Sequence, residues 1–158
     1  MRVADLPRVL AVADAVHPAF PEDAAVFEER LRLYPGGCLV FSNDEGIAGY
    51  VVSHPWRAND PPALNARLGE LPRSPVTYYI HDIALLPELR GTGAAALAVA
   101  LLLARAHKEK LATMSLVAVN DSAGFWAQHG FRDVTDTTLA RKLRGYGTAA
   151  MFMRRELA

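Results

Sequence analysis

The chain has 158 residues, 51% of them hydrophobic and 22% charged, a balance that is typical of one folded domain and excludes a disordered or fibrous chain. Its 17 basic residues equal its 17 acidic residues, so the total charge provides no attraction to nucleic acid or to an acidic membrane. Cys38 is the only cysteine, which excludes an internal disulfide and a cysteine-based metal site and favours a small buried residue.

The first third of the chain predicts two short helices before any long strand. A short strand is predicted at residues 2–4, and apolar residues at helical spacing predict a helix over residues 6–16, ending before His17-Pro18. A second helix is predicted over residues 24–33. The N-terminus has no signal-peptide pattern, and the longest apolar run is shorter than the roughly 20 residues that cross a bilayer, so we expect a cytoplasmic protein.

The middle of the chain predicts a hairpin and then a long loop. Two β-rich runs, residues 38–42 and 47–53, flank Asn43-Asp44-Glu45-Gly46, which favours a tight antiparallel turn. The proline-rich residues 54–74 predict a loop long enough to be functional. The remaining predicted elements are a strand at 76–86, a helix at 91–110, a strand at 114–119, a helix at 121–129, and strands at 131–134 and 149–154. This order predicts a single domain, a mixed sheet with helices on both faces.

Residues 90–95, Arg-Gly-Thr-Gly-Ala-Ala, join a predicted strand to a long apolar helix. Small residues let a ligand approach the backbone, and the unpaired N–H groups of a helix N-terminus favour negative charge, so we predict a pyrophosphate site. The absence of Gly-Lys-Ser/Thr excludes a P-loop. The bare Gly91-x-Gly93-x-x-Ala96 spacing leaves a dinucleotide fold open, although the next strand ends at Asn120 instead of an acidic residue.

The same six residues resemble the acetyl-CoA signature Gln/Arg-x-x-Gly-x-Gly/Ala of the GNAT superfamily of N-acetyltransferases. Residues 120–131 resemble that family's Asn-x-x-Ala-x-x-Phe-Tyr-x-x-x-Gly-Phe, and Tyr146-Gly147-x-x-Ala150-Met151 is similar to a C-terminal pattern of bacterial members. The resemblance implies a mixed α/β (α+β) GNAT fold with a mostly antiparallel, splayed central sheet. It implies acetyl transfer from acetyl-CoA to an amine of a small molecule or peptide, with no metal. Many relatives pair as dimers, so a homodimer is left open.

Carried over residue by residue, the resemblance also implies the cofactor contacts. An extended, amide-bearing pantetheine arm can pair with a strand edge, and a diphosphate with a helix N-terminus. The implied residues are Ile83, Ala84 and Leu85 for pantetheine, Arg90, Gly91, Thr92, Gly93, Ala94 and Ala95 for the diphosphate, and Asn120, Ala123 and Phe125 for the thiol end.

Acyl transfer to an amine needs a base, because an alkylamine with a pKa near 10.4 is mostly protonated at pH 7. His81 and Asp82 are the candidates, since they lie just before the segment implied to hold the thioester. Both can face the substrate only if a bulge interrupts the strand. A structural role for these residues, with a water chain as the base, is left open.

Trp126 stands where the family has its proton-donating tyrosine, and an indole N–H is far too weak an acid for that role. Tyr146 could replace the tyrosine, or water could protonate a thiolate that leaves readily. Two functions are therefore open: a working acetyltransferase, and a regulatory protein that binds acyl-CoA without chemistry.

The other histidines and the aromatic residues are predicted to be mainly structural. His107 and His129 fall at helix C-termini, where a positive charge is favoured. His17 and His54 precede prolines in predicted loops and are left open as recognition residues. Histidine spacing indicates no metal site. Three aromatic residues could line a pocket but are more typical of a core: Trp56, Tyr78 and Tyr79.

Overall fold

A six-stranded sheet organises the structure, a computed structural model that describes residues 1–157. The strands lie in the order β1-β2-β3-β4-β6-β5, and every neighbouring pair is antiparallel except β3 and β4, which are parallel. The strands are β1 (Cys38–Asn43), β2 (Gly46–Trp56), β3 (Thr77–Leu85), β4 (Thr113–Ala118), β5 (Arg132–Asp133) and β6 (Met151–Glu156).

Five α-helices accompany the sheet, with short 3₁₀ turns at several of their ends. None of the helices formed by residues 1–157 is both long enough and apolar enough to cross a membrane. The helices are α1 (Leu6–Val16), α2 (Ala24–Leu33), α3 (Ala94–Lys108), α4 (Ala123–Gln128) and α5 (Thr137–Lys142).

The long predicted helices and strands form, and the prediction is wrong at two places in the first half of the chain. Residues 3–5 form a 3₁₀ turn instead of a strand, because the Asp5 carboxylate accepts the Arg2 backbone N–H at 2.7 Å. The predicted loop from residue 54 begins later, since β2 pairs with β3 as far as Trp56. His54 therefore lies inside a strand, where it is buried.

The helix α5 was not predicted from the sequence. It begins at an aspartate cap, in which the side chain of Asp136 accepts the backbone N–H groups of Thr138 at 2.8 Å and Leu139 at 2.9 Å. Such a cap stabilises a helix by about 1 kcal/mol. The apolar anchor of α5 is Leu139, which packs into a buried cluster with Trp56 and Tyr79.

Side chains alternate across the sheet, so each strand contributes to two cores. On one face Tyr50 and Val52 pack against α1 and α2, and on the other Val51 and Ile80 pack against α3 and α4. This confirms the predicted mixed sheet with helices on both faces. Cys38 is buried in the first of these cores, as predicted, and burial raises the pKa of its thiol to about 11.

The central pair of strands, β3 and β4, separates partway along its length. Their pairing runs from Thr77–Thr113 to Ile80–Leu116, although β3 continues to Leu85. At the same level β3 contains a bulge, because Val52 of β2 pairs with Asp82 and the next residue pairs with Ile80. His81 is the extra residue, so the bulge required for His81 and Asp82 to face one side is present.

Candidate active site

A cavity of about 190 Å³ opens where β3 and β4 separate. The bulge brings five consecutive residues of β3, residues 79–83, to its wall, together with the end of β4 and the first turn of α3. The connection between α1 and α2 covers one side. The polar residues that line the cavity are His17, Glu22, Tyr79, His81, Asp82, Asn120, Ser122 and Tyr146.

His81 forms a buried pair with Glu22, a residue in the α1–α2 connection. The two side chains are 3% and 7% exposed, and His81 Nε2 lies 2.8 Å from Glu22 Oε2. Burial alone would raise the pKa of the Glu22 carboxyl, but the charge and hydrogen bond of His81, with the Asn65 backbone N–H, lower it overall. Glu22 is therefore an ionised partner that orients the imidazole and can stabilise an imidazolium.

Asp82 has both carboxylate oxygens engaged, unlike its neighbour His81. The Tyr50 hydroxyl donates to Oδ2, and His17 Nε2 lies 3.0 Å from Oδ1. Burial works to raise the pKa of the Asp82 carboxyl, but the His17 and Tyr50 hydrogen bonds and the nearby charges outweigh it and lower that pKa. Asp82 is thus a weak base whose lone pairs are already occupied, whereas His81 Nδ1 has no hydrogen-bond partner among residues 1–157.

His17 spans the gap between the two separated strands. Its Nε2 also lies 3.3 Å from the Ile83 carbonyl oxygen on β3, and its Nδ1 lies 3.2 Å from Asn120 Nδ2 beyond β4. Burial tends to lower the pKa of His17, but Asp82, Ile83 and Glu22 together raise it. The sequence left His17 open as a recognition residue, and the structure places it in the wall of the cavity.

Two histidine–carboxylate pairs join the α1–α2 connection to β3, and each segment supplies the histidine of one pair and the carboxylate of the other. The α1–α2 connection supplies His17 to Asp82 of β3 and supplies Glu22 to His81 of β3. Phe20, between the two loop residues, contacts the cavity. These reciprocal pairs fix the α1–α2 connection against the bulge.

The edge of β3 beyond the bulge offers backbone groups to the cavity. Leu86 N donates to Ala48 O of β2 at 2.8 Å, and in an antiparallel pair such bonds alternate along the strand. The backbone of Ala84 therefore faces β2, while the N–H and C=O groups of Ile83 and Leu85 face the gap. Of the three residues implied for pantetheine, Ile83 and Leu85 have the backbone direction needed for pairing.

The predicted pyrophosphate loop precedes α3 and is open to solvent. Gly91 and Gly93 have φ of +73° and +85°, and Thr92 Oγ1 donates to Leu89 O at 2.7 Å, which holds the turn. The first helical hydrogen bond is donated by Leu97 to Gly93 O, so the amides before Leu97 are free of helical partners. Ala94 N–H donates only a long hydrogen bond, 3.4 Å, to Thr92 Oγ1. Small side chains and N–H groups without helical partners at the N-terminus of a 15-residue helix form a site suited to a diphosphate.

Replacing Gly93 with valine should weaken CoA binding by at least about tenfold. A β-branched residue in the left-handed region costs on the order of 1–3 kcal/mol, which the loop would relieve by moving its N–H groups. Gly69→Val is the matched control, because Gly69 has φ of +75° and free space around its Cβ position, as Gly93 has. Calorimetric titration with CoA compares the two, and equal affinities would contradict a diphosphate site at this loop.

The remaining predicted residues lie around the far end of the cavity. Asn120 and Phe125 line it, and Ala123 is half-buried beside them. Trp126 also reaches the wall and is 8% exposed, with its ring against Phe131. Tyr146 lines the opposite side, where its hydroxyl donates to Pro62 O at 2.9 Å and burial raises its pKa.

A second buried histidine lies behind the cavity. His54 is 1% exposed, its ring lies 6.4 Å from that of His81, and its Nε2 has no partner within the described chain. Burial, with the nearby charges of His81 and Arg30, lowers the pKa of His54 to about 3. His54 is therefore a neutral structural residue at all ordinary pH values.

No group of three or more histidine, cysteine or acidic side chains within residues 1–157 is arranged to hold a metal ion. The cavity combines an imidazole–carboxylate pair, a strand edge that presents backbone groups of Ile83 and Leu85, and a helix N-terminus suited to an anion. That arrangement can bind an extended phosphorylated ligand and accept a proton next to its end.

A family model described as "Acetyltransferase (GNAT) family" matches residues 7–131. No curated protein sequence matches the chain significantly.

Solved structures share the fold over nearly the whole chain. The GNAT-like decarboxylase GphF in complex with isobutyryl-CoA has a TM-score of 0.84 and 16% identity, covering 100% of this chain and 97% of that one. The loading GNATL domain of CurA from Lyngbya majuscula has a TM-score of 0.80 and 14% identity, with 99% and 94% covered. Chaetomium thermophilum Naa20 with a bisubstrate analogue has a TM-score of 0.71 and 18% identity, with 99% and 84% covered. The expected GNAT fold is confirmed.

Proposed function

The chain belongs to the GNAT acetyltransferase family, and on this premise we propose that it transfers an acetyl group from acetyl-CoA to a primary amine of a small molecule or peptide. The supporting observation is a single cavity that contacts both Ala95, in the first turn of α3, and the His81–Glu22 pair. A CoA molecule with its diphosphate at the α3 N-terminus would lie along the free edge of β3. Its thioester would then be directed towards His81.

In the proposed reaction His81 takes the proton from the attacking amine. The neutral amine attacks the thioester carbonyl, the C–N bond forms as the C–S bond breaks, and the amine proton passes to His81 Nδ1. Because Nδ1 is buried, the proton reaches it through one water or after a small rotation of the ring. Glu22, hydrogen-bonded to Nε2, then stabilises the imidazolium.

The CoA thiolate is a good leaving group, with a pKa near 8.5 for an ordinary thiol, so strong acid assistance is not required. Trp126 replaces the tyrosine expected from the family pattern and can donate only a hydrogen bond. Tyr146 stays the candidate proton donor, although its hydroxyl is bonded to Pro62 O and its pKa is raised. We therefore assign the last proton transfer to Tyr146 or to water.

The second candidate is a regulatory protein that binds acyl-CoA without turnover. It is favoured by Trp126 alone, because the cofactor loop and strand edge would serve both functions. The buried His81–Glu22 pair favours the enzyme, since a binding protein has no need of an oriented base beside the thioester.

Thiol release from acetyl-CoA, measured with a panel of polyamines, aminoglycosides, amino acids and peptides, should rise when the correct amine is present. CoA at 100 times its Kd should stabilise the protein by about 2.7 kcal/mol, which a thermal shift detects, and NAD should not. Propionyl-CoA and isobutyryl-CoA as donors test whether acetyl is preferred. CoA binding without release from any pair would support the regulatory protein, and no CoA binding would contradict both functions.

A further inference from the structure

We propose that the acceptor is a small amine with an apolar body and no carboxylate next to the reacting nitrogen, and that Glu22 enforces this choice. The inference rests on the proposed function and specifies its substrate class. It follows from the charges, the walls and the size of the cavity around His81.

Glu22 carries a negative charge that is hydrogen-bonded to no cation among the described residues lining the cavity when His81 is neutral, although the buried Arg30 guanidinium attracts the same charge. Both Glu22 and Asp82 have lowered pKa values. With a neutral His81 the Glu22 carboxylate keeps its hydrogen bonds to His81 Nε2 and the Asn65 N–H. Asp82 is paired with His17, whose raised pKa favours its charged form. His81 must be neutral to act as a base, so in the reactive form the charge of Glu22 is not balanced by its partner.

Since His17 is already paired with Asp82, no side chain of the described residues that line the cavity is a cation free to receive a carboxylate. Among the described residues that line it there is neither a lysine nor an arginine. The buried Arg30 does not line the cavity: its Nη1 donates to Glu29 at 2.8 Å and its Nη2 to Ala66 O at 2.8 Å, and its Nε is buried without a partner in the described chain. A site for free amino acids normally supplies a bidentate arginine or similar donor to the carboxylate.

Much of the wall around His81 is apolar. Phe20 reaches the cavity from the α1–α2 connection, Leu64 from the β2–β3 loop and Leu116 from β4. A volume of about 190 Å³, which must also receive the thioester, is smaller than the roughly 300–1,000 Å³ of pockets for drug-sized ligands. The acceptor must therefore be small, and its body must tolerate desolvation.

Repulsion of a carboxylate from Glu22 should be large enough to measure. An α-carboxylate would lie within a few ångströms of the reacting nitrogen, and we take a charge separation of about 7 Å from Glu22 as the order of magnitude for the repulsion. At an effective dielectric constant of about 20, that repulsion corresponds to roughly a fiftyfold loss in kcat/KM. We expect at least a tenfold preference after allowance for screening by solvent and salt.

Valinamide and valine provide the matched test, because they have nearly the same size and differ in one negative charge. The kcat/KM for thiol release from acetyl-CoA is measured for both and divided by the fraction of each amine that is unprotonated. Isobutylamine, which lacks the carbonyl group altogether, shows whether the amide itself is recognised. We expect valinamide and isobutylamine to exceed valine by at least about tenfold.

The Glu22→Gln variant tests whether Glu22 causes the preference for amines without a carboxylate. Glu22 also positions His81, so the variant should be slower with every amine, but its valinamide-to-valine ratio should fall at least about fivefold. Glu28→Gln is the control, because Glu28 is an exposed glutamate on α2 outside the cavity, and it should keep the full ratio. If Glu22→Gln does not fold, as judged by CoA binding, Glu22→Met provides a second removal of the same charge with a side chain of similar length.

The outcomes are distinct from those for the proposed function. Turnover in which valine equals or exceeds valinamide would overturn the inference while leaving acetyl transfer intact. An unchanged ratio in Glu22→Gln would overturn the role of Glu22. Absence of thiol release with any amine in the wider panel, in contrast, would overturn the proposed function and the inference together.

Discussion

Replacing His81 with alanine should lower amine-dependent thiol release by about 10²- to 10⁴-fold while leaving CoA affinity almost unchanged. The reason is that His81 Nδ1 is the basic nitrogen at the bulge without a partner in the described chain, whereas the oxygens of Asp82 are occupied. CoA contacts are proposed at the strand edge and the α3 loop, which the substitution does not touch. Steady-state thiol release and calorimetric CoA titration give the two quantities.

His107→Ala is the matched control for this prediction. His107 is an exposed histidine near the C-terminal end of α3, outside the cavity, so its removal should alter neither quantity. His81→Gln adds a second comparison, since a glutamine amide can still donate to Glu22 but cannot take up a proton. Full turnover by His81→Ala would transfer the role of base to Asp82 or to a water chain.

Acidification from pH 7 to pH 4.5 should lower the free energy of unfolding by about 2.5 kcal/mol through His54 alone. Its pKa is about 3 in the folded state, against an ordinary value of 6.5 in the unfolded chain. Below about pH 6.5 His54 binds a proton in the unfolded state but stays neutral in the folded state, so the free energy of unfolding decreases as the pH falls towards about 3. The physical cause is burial next to His81 and Arg30.

Urea unfolding at pH 7 and pH 4.5 tests this prediction, with His54→Gln as the variant. The variant removes the titrating group, so its stability should depend less on pH, even if it is lower at pH 7. His107→Gln should keep the full dependence, because His107 is exposed in the folded state. His17 acts in the opposite direction, since its raised pKa favours the folded state in acid. Equal slopes in the wild type and His54→Gln would contradict the prediction.

Local patterns in the sequence were sufficient for most of the fold and for the conformation of the glycine-containing loop before α3. The glycines at positions 91 and 93 have the positive φ values that the tight turn requires, and the helix after them begins at Ala94. The hairpin turn between Asn43 and Gly46 forms with the predicted pairing. Each of these features is determined by neighbours within a few residues, which is why the pattern reveals it.

The chemistry around the base depends on contacts that no local pattern records. Glu22 meets His81 across 59 positions of sequence, and His17 meets Asn120 across 103. A single glutamate between two predicted helices carries no periodic signal, so Glu22 was missed. The bulge that brings His81 and Asp82 to one side arises from the pairing of β3 with β2, and the sequence could state it only as a condition.

The extent of β2 was misjudged for a similar reason. Pro55, which follows His54, favours a loop in the sequence-based prediction. β2 nevertheless continues, because β3 pairs with both His54 and Pro55. Tertiary pairing overrides the local preference of proline where the strand can spare one donor. The roles assigned to individual site residues stay predictions until the variants above are measured.

The two histidine–carboxylate pairs between the α1–α2 connection and β3 limit how this protein can be re-engineered. An α1–α2 connection transplanted from a related enzyme would remove His17 and Glu22 together. Asp82 would then be a buried carboxylate without its histidine partner, and neither ring nitrogen of His81 would have a hydrogen-bond partner in the described chain. Removing the partner of a buried charge in this way lowers the free energy of unfolding by several kcal/mol. Exchange of the α1–α2 connection between homologues should therefore succeed only when residues 81 and 82 of β3 are exchanged together with it.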